Sequence, residues 1–473
     1  MPEFANAKLG DERRAERLVR VAGRVERNPR VSFPQAMRTP GELEGFYRLM
    51  NSDGFTSAQM LEPHRKATIE RANHAGTVLV VHDTTNVDFP GKSKRKGLGV
   101  TTASSHQGFV AHYSLVLGAG GSSLPLGISQ METYTRTGKK WAKAKKTRTR
   151  VRDDPKRESL RWWRAVEAFE AERDGSFEAI HVMDAEADFF ELLSQLATTG
   201  TRFIIRAGQL DRTVKTDEER IKLRDFVDEL QPIATRTVRI TARRYQGKKQ
   251  PASKKKRHPE RDAREASLAI GAGRLTLQRT RYSRLDSVNV EVNVLRVWEP
   301  KPPRGAPPVE WILLTTEPIA SRADIEQIVE WYRQRWVIEE FFKALKTGCS
   351  LEARQLESYA ALIKVAALLT PIAYRLLLLR GMSRSHPAQS PTKFFSALEL
   401  KLMMLDDSTR GLPKPKTLGD AAMLVARMGG HIKNNGPPGW QVLTRGYQHL
   451  LTLLIGWEMA TDFKKYRERS DQW

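Results

Sequence analysis

The sequence predicts an α/β protein in which a mixed sheet with flanking helices is interrupted by an all-β insertion and bracketed by helical N- and C-terminal domains. Short β-branched runs alternate with helical segments between residues 73 and 207, which is typical of a sheet covered by helices. Residues 208–310 alternate polar and apolar side chains over long stretches, as antiparallel strands do. Residues 1–72 and 351–473 instead carry apolar residues at helical spacing.

The chain is strongly basic. Its 473 residues are enough for about two to four domains. It has 79 Lys and Arg against 55 Asp and Glu, which gives a formal charge of +24. Such a charge favours a polyanionic partner, nucleic acid first and an anionic membrane surface second, with a generally basic enzyme as the alternative. The single cysteine, Cys349, excludes an internal disulfide and a cysteine-rich zinc module, and it fits a reducing cytoplasm.

The N-terminal domain, residues 1–72, is predicted to be a compact set of helices. The segment LGDERRAERLVRVAGRVERNP places apolar residues among many arginines, and two further helical segments follow a break at residues 29–40. Two interpretations stay open for this domain. It is either a unit that reads DNA with one helix or an ordinary amphipathic bundle with a solvated arginine face.

The core is predicted to comprise residues 73–207 and 311–350. Its first part reads as three strands, then helix, strand, helix and strand, in the order TVLVVHDTT, FVAHYSLVLGAG, LPLGISQMETYT, SLRWWRAVEAFEAERDG, FEAIHVMD, AEADFFELLSQLATTG and RFIIRAG. The insertion, residues 208–310, supplies the antiparallel strands TRTVRITARRY, ASLAIGAGRLTLQRT and SVNVEVNVLRVWEP. The strand WILLTT then returns to the core, and a helix begins near Arg322.

The C-terminal domain, residues 351–473, contains the most apolar run of the chain, ALIKVAALLTPIAYRLLLL. This run is long enough to span a bilayer, but Lys364, Pro371 and Arg375 interrupt it. A buried, proline-bent helix is therefore predicted, and no membrane contact is expected. The last segment, GYQHLLTLLIGWEMATDF, is amphipathic and suits either a dimer helix or a packed terminal helix.

Three acidic residues could carry metal-dependent phosphoryl chemistry. Asp83 and Asp184 each end a predicted strand, and α/β folds commonly place active sites at such strand ends. Together with Glu339 on the helix after Arg322, they could hold hard divalent cations through oxygen ligands. The alternative is that each Asp caps a turn or a helix. Glu186, Asp188 and Glu340 are rival acids close by in the sequence.

The helical segment WYRQRWVIEEFFKALK, residues 331–346, carries a second group of candidate residues. An apolar stripe is expected to face the core, and five polar residues lie beside it at helix-neighbour steps of three and four, namely Tyr332, Arg335, Glu339, Lys343 and Lys346. Such a face is either solvated or presents one acid among several phosphate-binding groups. The sequence has no Walker A motif, no HExxH and no GxSxG.

The spacing of these residues resembles the Y-(2)-R-(3)-E-(6)-K signature of DDE-type bacterial insertion-sequence transposases of the insertion-sequence-four family, here Tyr332, Arg335, Glu339 and Lys346. The segments HDTT around Asp83 and MDAEAD around Asp184 resemble the two other acidic motifs of that family. In the second motif the first Asp is catalytic, so the resemblance prefers Asp184 over Asp188. LGDERRAERLV resembles the family's end-binding segment, and ERDAREASLAI and WILLTTEP resemble its β insertion.

The resemblance implies an RNase H-like core and a cut-and-paste DNA transposase. Asp83, Asp184 and Glu339 would hold paired Mg²⁺ ions, with Mn²⁺ able to substitute. Cleavage would pass through a hairpin, and the freed 3′-hydroxyl ends would then join target DNA. The residues implied to contact DNA are Tyr332, Arg335, Lys343, Lys346, Arg206 and Trp311. The partners would be double-stranded transposon ends, target DNA and a second copy of the chain, in the cytoplasm at the nucleoid.

The alternative function is a DNA-binding inhibitor or regulator of transposition that does not cut. The observation that raises this alternative is that the family carries further residues before the segment LGD, which begins here at Leu9. The basic runs Lys139–Arg157 and Arg243–Arg264 are expected either to be solvated loops or to contact DNA without sequence preference.

Overall fold

The computed structural model describes residues 2–91, 93–101, 107–120, 124–136, 157–240, 242, 260–279, 288–306, 308–432 and 438–470. The two basic runs singled out in the sequence lie outside these residues, apart from Arg157 and residues 260–264.

The N-terminal region forms four helices, α1 (Glu12–Arg27), α2 (Phe33–Ala36), α3 (Pro40–Asn51) and α4 (Ser57–Ala75). The side chains of Asp11, Thr39 and Thr56 accept hydrogen bonds from the first turns of α1, α3 and α4, which fixes where these helices begin. Helix α4 packs on the sheet that follows, and the Arg65 Nε donates to the Ser129 carbonyl at 2.8 Å. The predicted helical unit is therefore joined to the core.

The core sheet is built from six strands, β1 (Thr77–Phe89), β2 (Gly99–Val100), β3 (Gln107–Gly118), β4 (Pro125–Tyr134), β5 (Glu178–Met183) and β6 (Phe203–Arg206). Helices α5 (Arg161–Arg173) and α6 (Phe190–Thr198) connect β4 to β5 and β5 to β6. The order β4-β3-β1-β5-β6 has antiparallel pairing from β4 to β1 and parallel pairing from β1 to β6. The predicted mixed sheet with flanking helices is confirmed, in the RNase H-like arrangement.

The insertion continues this sheet. Its elements are β7 (Thr213–Lys215), β8 (Arg220–Lys222), the short helix α7 (Leu223–Glu229), β9 (Ala234–Ile240), β10 (Arg264–Leu277) and β11 (Val290–Trp298). The returning strand β12 (Glu310–Thr315) pairs antiparallel with both β11 and β6. Among the described residues, one sheet of twelve strands therefore runs from the core into the insertion.

The helices after the sheet are α8 (Arg322–Arg333), α9 (Trp336–Lys343), α10 (Tyr359–Ser385), α11 (Ala397–Leu405), α12 (Leu418–Met428) and α13 (Trp440–Ser470). Residues Ala344–Gly348 form one π-helical turn after α9. Helix α10 contains the most apolar run and is long enough to cross a membrane, but 83% of its apolar window is buried within the fold. It is the core helix that the sequence predicts.

Candidate active site

Asp83 and Asp184 lie side by side, but only Asp184 stands at a strand end, directly after β5. The prediction that Asp83 ends its strand is wrong, because β1 continues to Phe89 through its pairing with β3. Val81 on β1 pairs with Val182 on β5 in parallel register. Two residues further along each strand stand Asp83 and Asp184, so the two acids occupy matching positions on strands about 4.8 Å apart. Residues at matching positions of parallel strands face the same side of a sheet, which brings the two carboxylates together.

A backbone N–H orients each of these carboxylates. The Thr84 N–H donates to Asp83 Oδ1 at 2.7 Å, and the Glu186 N–H donates to Asp184 Oδ1 at 2.8 Å. The second contact arises because Asp184 caps a short 3-10 turn, Ala185–Ala187, directly after β5. One oxygen of each carboxylate is thereby fixed by the main chain.

Glu339 reaches the same site from α9, through Arg335. The Arg335 Nη1 donates to Asp83 Oδ2 at 2.9 Å, and its Nη2 lies 3.6 Å from Glu339 Oε1. Burial raises the pKa of Asp83 to about 7; the charges of Asp184 and Glu339 add to the rise, and the Arg335 guanidinium opposes it. Asp184 and Glu339 are therefore close enough to Asp83 for their charges to act on it.

The neighbouring acids serve other contacts. Asp188 is buried, and its Oδ2 accepts from the Gly208 and Gln209 N–H groups at 2.7 and 2.8 Å, which ties the loop after β6 to the chain after β5. Glu340 points away from Asp83 and pairs with Lys343 at 2.9 Å and with Arg380 on α10. Asp188 and Glu340 thus have other partners, whereas the charges of Asp184 and Glu339 act on Asp83.

The donor set suits a hard divalent cation, because it consists of carboxylate oxygens whose mutual repulsion a cation would relieve. Within the described ranges, no three His, Cys, Asp or Glu side chains converge closely enough to hold a metal ion in this conformation. The Arg335 guanidinium lies between the carboxylates of Asp83 and Glu339, and its positive charge partly compensates them.

Three other candidate residues border the acids. The Tyr332 ring packs edge-on against Trp311, with 5.9 Å between ring centroids. Arg206 ends β6 one register step after the pair formed by Met183 and Ile205, which sets it beside Asp184. Arg206 is exposed, and its charge acts on the buried Tyr332 hydroxyl. One side of the carboxylate site is therefore lined by Tyr332, Trp311 and Arg206.

The two candidate lysines differ in their local structure, since Lys343 ends α9 and Lys346 lies in the π-helical turn that follows. Helix α8 ends at Arg333 and α9 begins at Trp336, and the chain then enters the π-helical turn. Lys343 is exposed and paired with Glu340. Lys346 donates to the Asn86 carbonyl on β1 and lies 3.2 Å from Glu352. The structure thus gathers Tyr332, Arg335 and Glu339 at the acids, and Lys343 lies one helical turn beyond Glu339 on α9.

The structure adds Trp336, which the sequence pattern did not single out. Its side chain is 59% exposed, unusual for a tryptophan, and the Arg335 guanidinium lies over its ring at 5.1 Å from the centroid. The available signal was its position outside the apolar stripe of a helix whose other large apolar residues face the core.

The N-terminal helix α1 presents its charges and its apolar residues on opposite faces. Leu18, Val21 and Val25 are buried, whereas Arg13, Arg17 and Arg20 are exposed. An exposed row of arginines on one helix is an electrostatic footprint that suits DNA phosphates.

Two family models match the chain. A model described as transposase DNA-binding matches residues 1–54, and a model described as transposase DDE domain matches residues 166–374. The second span contains Asp184 and Glu339, and Asp83 precedes it. Taken with the sheet topology, these matches show that the chain belongs to the DDE transposases of the insertion-sequence-four type, similar to the transposon-five transposase, with a transposase DNA-binding domain at its N-terminus.

Proposed function

We propose that this DDE transposase is an active cut-and-paste enzyme whose catalytic acids are Asp83, Asp184 and Glu339. DDE transposases are metal-dependent phosphoryl transferases that act on DNA. The observation that carries the proposal is the matched register of Asp83 and Asp184 on neighbouring parallel strands, with Glu339 held beside them through Arg335.

Asp83, Asp184 and Glu339 would hold the divalent cations, physiologically Mg²⁺, with Mn²⁺ able to substitute. Bound cations supply activation of the attacking hydroxyl and stabilisation of the leaving oxygen. The protein's own contribution is to fix the carboxylate oxygens through the backbone N–H groups of Thr84 and Glu186. Arg335 adds a planar guanidinium next to the acids, which suits bidentate contact with a phosphate.

The reaction would proceed by four phosphoryl transfers. Water first cleaves one strand at the transposon end and leaves a 3′-hydroxyl. That hydroxyl attacks the phosphodiester of the opposite strand, displaces the flanking DNA and closes a hairpin. A second water opens the hairpin and restores the 3′-hydroxyl, which finally attacks a phosphodiester of the target and displaces its 3′ oxygen.

The aromatic and basic residues around the acids would hold the DNA end. Trp311 and the exposed Trp336 offer ring faces on which an unpaired base can stack. Arg206 and Lys346 would contact phosphates, since each lies at the edge of the acidic site, and Tyr332 would orient these groups. Lys343 is proposed to contact DNA as well, because it is exposed and its ion pair with Glu340 is a surface pair that contributes little stability.

The experiment is a cleavage assay on a duplex that carries the inverted repeat flanking the gene, with Mg²⁺ and at low and moderate salt. Wild type is compared with Asp184→Ala, Glu339→Gln and the adjacent control Glu340→Gln. We expect excised or hairpin-ended product from wild type and from Glu340→Gln, and none from the other two. A retarded but uncut complex with every protein would reject the catalytic proposal and support the alternative, a DNA-binding inhibitor.

A further inference from the structure

Asp83 and Asp184 are each oriented by the N–H of a nearby residue, and those two residues share one side-chain partner. Thr84 orients Asp83, and Glu186 orients Asp184. Arg161, at the first turn of α5, donates from Nε to the Thr84 hydroxyl at 2.9 Å and from Nη2 to Glu186 Oε2 at 2.7 Å. One guanidinium therefore connects the two segments that aim the carboxylates.

Arg161 is itself held rigidly. It is 6% exposed, its Nη1 donates to the Glu158 carbonyl at 3.0 Å, and its guanidinium lies 5.2 Å from the Trp162 ring centroid. Each of the three guanidinium nitrogens thus donates to a partner, and the planar guanidinium fixes the angles between these hydrogen bonds.

The Thr84 hydroxyl has a defined second contact. It lies 2.9 Å from His112 Nδ1, and burial lowers the pKa of His112 well below its usual range, so the ring is neutral. Because Thr84 Oγ1 accepts from Arg161, its own proton is available for His112 Nδ1. The Thr84 hydroxyl therefore has two hydrogen-bond partners, Arg161 and His112.

We propose that Arg161 is a positioning residue that sets the spacing and orientation of Asp83 and Asp184 for metal binding, because it donates hydrogen bonds to Thr84 and Glu186 at the same time. This inference rests on the proposed roles of the two acids. Arg161 touches neither carboxylate and acts only through the residues whose N–H groups hold them. A Lys ammonium is a compact point charge that does not reproduce the two-sided guanidinium geometry. Lys at this position would therefore keep only one of the two contacts, to Thr84 or to Glu186.

The variants are Arg161→Gln and Arg161→Lys, with Arg164→Gln as the matched control. Arg164 lies on the same helix and pairs with Glu132 away from the acids, with its Nε 3.0 Å from Glu132 Oε2. Mn²⁺ affinity is measured by electron paramagnetic resonance on the full chain bound to a duplex that ends at the cleavage position. The Mg²⁺ concentration for half-maximal cleavage and the affinity for the duplex are measured in parallel.

We expect Arg161→Gln to weaken Mn²⁺ binding and to raise the half-maximal Mg²⁺ concentration by about 10- to 100-fold, as loss of a partner behind metal ligands does. Arg161→Lys should fall between this variant and wild type. Duplex affinity measured without divalent metal should stay unchanged in both, and Arg164→Gln should match wild type throughout. Wild-type Mn²⁺ affinity in folded Arg161→Gln, or an equal loss in Arg164→Gln, would overturn the proposal.

Thr84→Val and Glu186→Ala keep the test decisive if Arg161→Gln does not fold. Each variant removes only one of the two hydrogen bonds that Arg161 donates to Thr84 and Glu186. The Glu186 side chain is 65% exposed, so its loss leaves packing intact. Weaker Mn²⁺ binding in both supports the proposal, and wild-type affinity in both rejects it. If the wild-type protein neither binds Mn²⁺ at this site nor cleaves DNA, the proposed function is rejected. If wild type cleaves DNA and the variants bind Mn²⁺ with wild-type affinity, only the proposed role of Arg161 is rejected.

Discussion

Asp83 combines a buried position with a proposed role, metal binding, that needs its charge. It is 8% exposed, and burial raises its pKa from 3.8 to about 7 although Arg335 donates a hydrogen bond to it. The ionised carboxylate is therefore destabilised in the folded protein relative to the unfolded chain. Arg335 compensates the negative charge of the carboxylate only in part, and a bound divalent cation would supply the remaining positive charge.

Asp83→Asn gives a pH-dependent prediction. Between about pH 4 and pH 7 the folded wild type keeps a proton that the unfolded chain has lost, so its stability falls as pH rises through this range. Asn does not titrate, so the stability of the variant relative to wild type should rise by about 1.4 kcal/mol per pH unit there. Urea denaturation in EDTA at several pH values measures this difference, and a difference that does not change with pH would contradict it.

Magnesium addition extends this test to ligand binding. Above pH 7, Mg²⁺ should raise the denaturation midpoint of wild type, because a ligand that binds only the folded state stabilises it. Asp83→Asn should respond much less, since a charged ligand oxygen has been removed. An equal response of both proteins would show that Mg²⁺ acts elsewhere.

Trp336 is an exposed aromatic residue at the start of α9, three residues before Glu339. Trp336→Ala should leave the fold intact, because the side chain is 59% exposed, and it should reduce hairpin formation by about 10- to 100-fold if a base stacks on the ring. Trp336→Phe retains a stacking face and should recover most of the activity. Fluorescence of 2-aminopurine at the end base reports the stacking directly; equal signals from the Ala and Phe variants would refute the role.

At the scale of elements, the junction between α8 and α9 decides which polar residues reach the acids. The helical pattern treats residues 331–346 as one straight helix, but Gln334 and Arg335 separate two helices and a π-helical turn follows. This junction brings Arg335 against Asp83, and the π turn directs Lys346 to the Asn86 carbonyl. Lys343, at the end of α9, pairs with Glu340.

Helix α1 gives a prediction about DNA binding. Arg17→Ala combined with Arg20→Ala removes two exposed charges from the domain that matches the transposase DNA-binding family. If both contact phosphates, the slope of log affinity against log salt should become shallower by about two. Arg410→Ala, which removes an exposed charge in the C-terminal region, is the control and should leave the slope unchanged. Titrations at four salt concentrations distinguish the outcomes.

At the scale of the whole molecule, the C-terminal helices leave large apolar side chains exposed. Leu405 on α11 is 54% exposed, and Trp457 and Met459 on α13 are 42% and 61% exposed. A protein that joins two DNA ends needs two copies of its site, and we propose that the exposed surface of α13 contributes to their pairing.

Trp457→Asp combined with Met459→Asp tests the pairing proposal. Charges on this surface should abolish the complex of two protomers with two DNA ends and leave the complex of one protomer with one end intact. Lys414→Asp, at an exposed loop position, controls for the change of charge. Analytical ultracentrifugation with labelled duplex separates the complexes; paired complexes that survive in the double variant would exclude this surface.

Local patterns determined much of the fold. The strand and helix order of the core, the antiparallel strands of the insertion and the buried helix α10 follow from the spacing of apolar residues, because that spacing sets which face each element must bury. The positive charge and the residues of the acidic motifs likewise indicated DNA and metal chemistry before any contact was known.

Other features depend on contacts between residues far apart in the chain, which spacing does not encode. The continuity of insertion and core in one sheet arises from pairing of β12 with β6. The position of Glu339 beside Arg335 arises from how α9 packs, and the hydrogen bonds from Arg161 to Thr84 and Glu186 join three separate segments. The sequence by itself determined the elements and the kind of chemistry; the tertiary structure decided which side chains meet, because long-range packing sets the direction in which each one points.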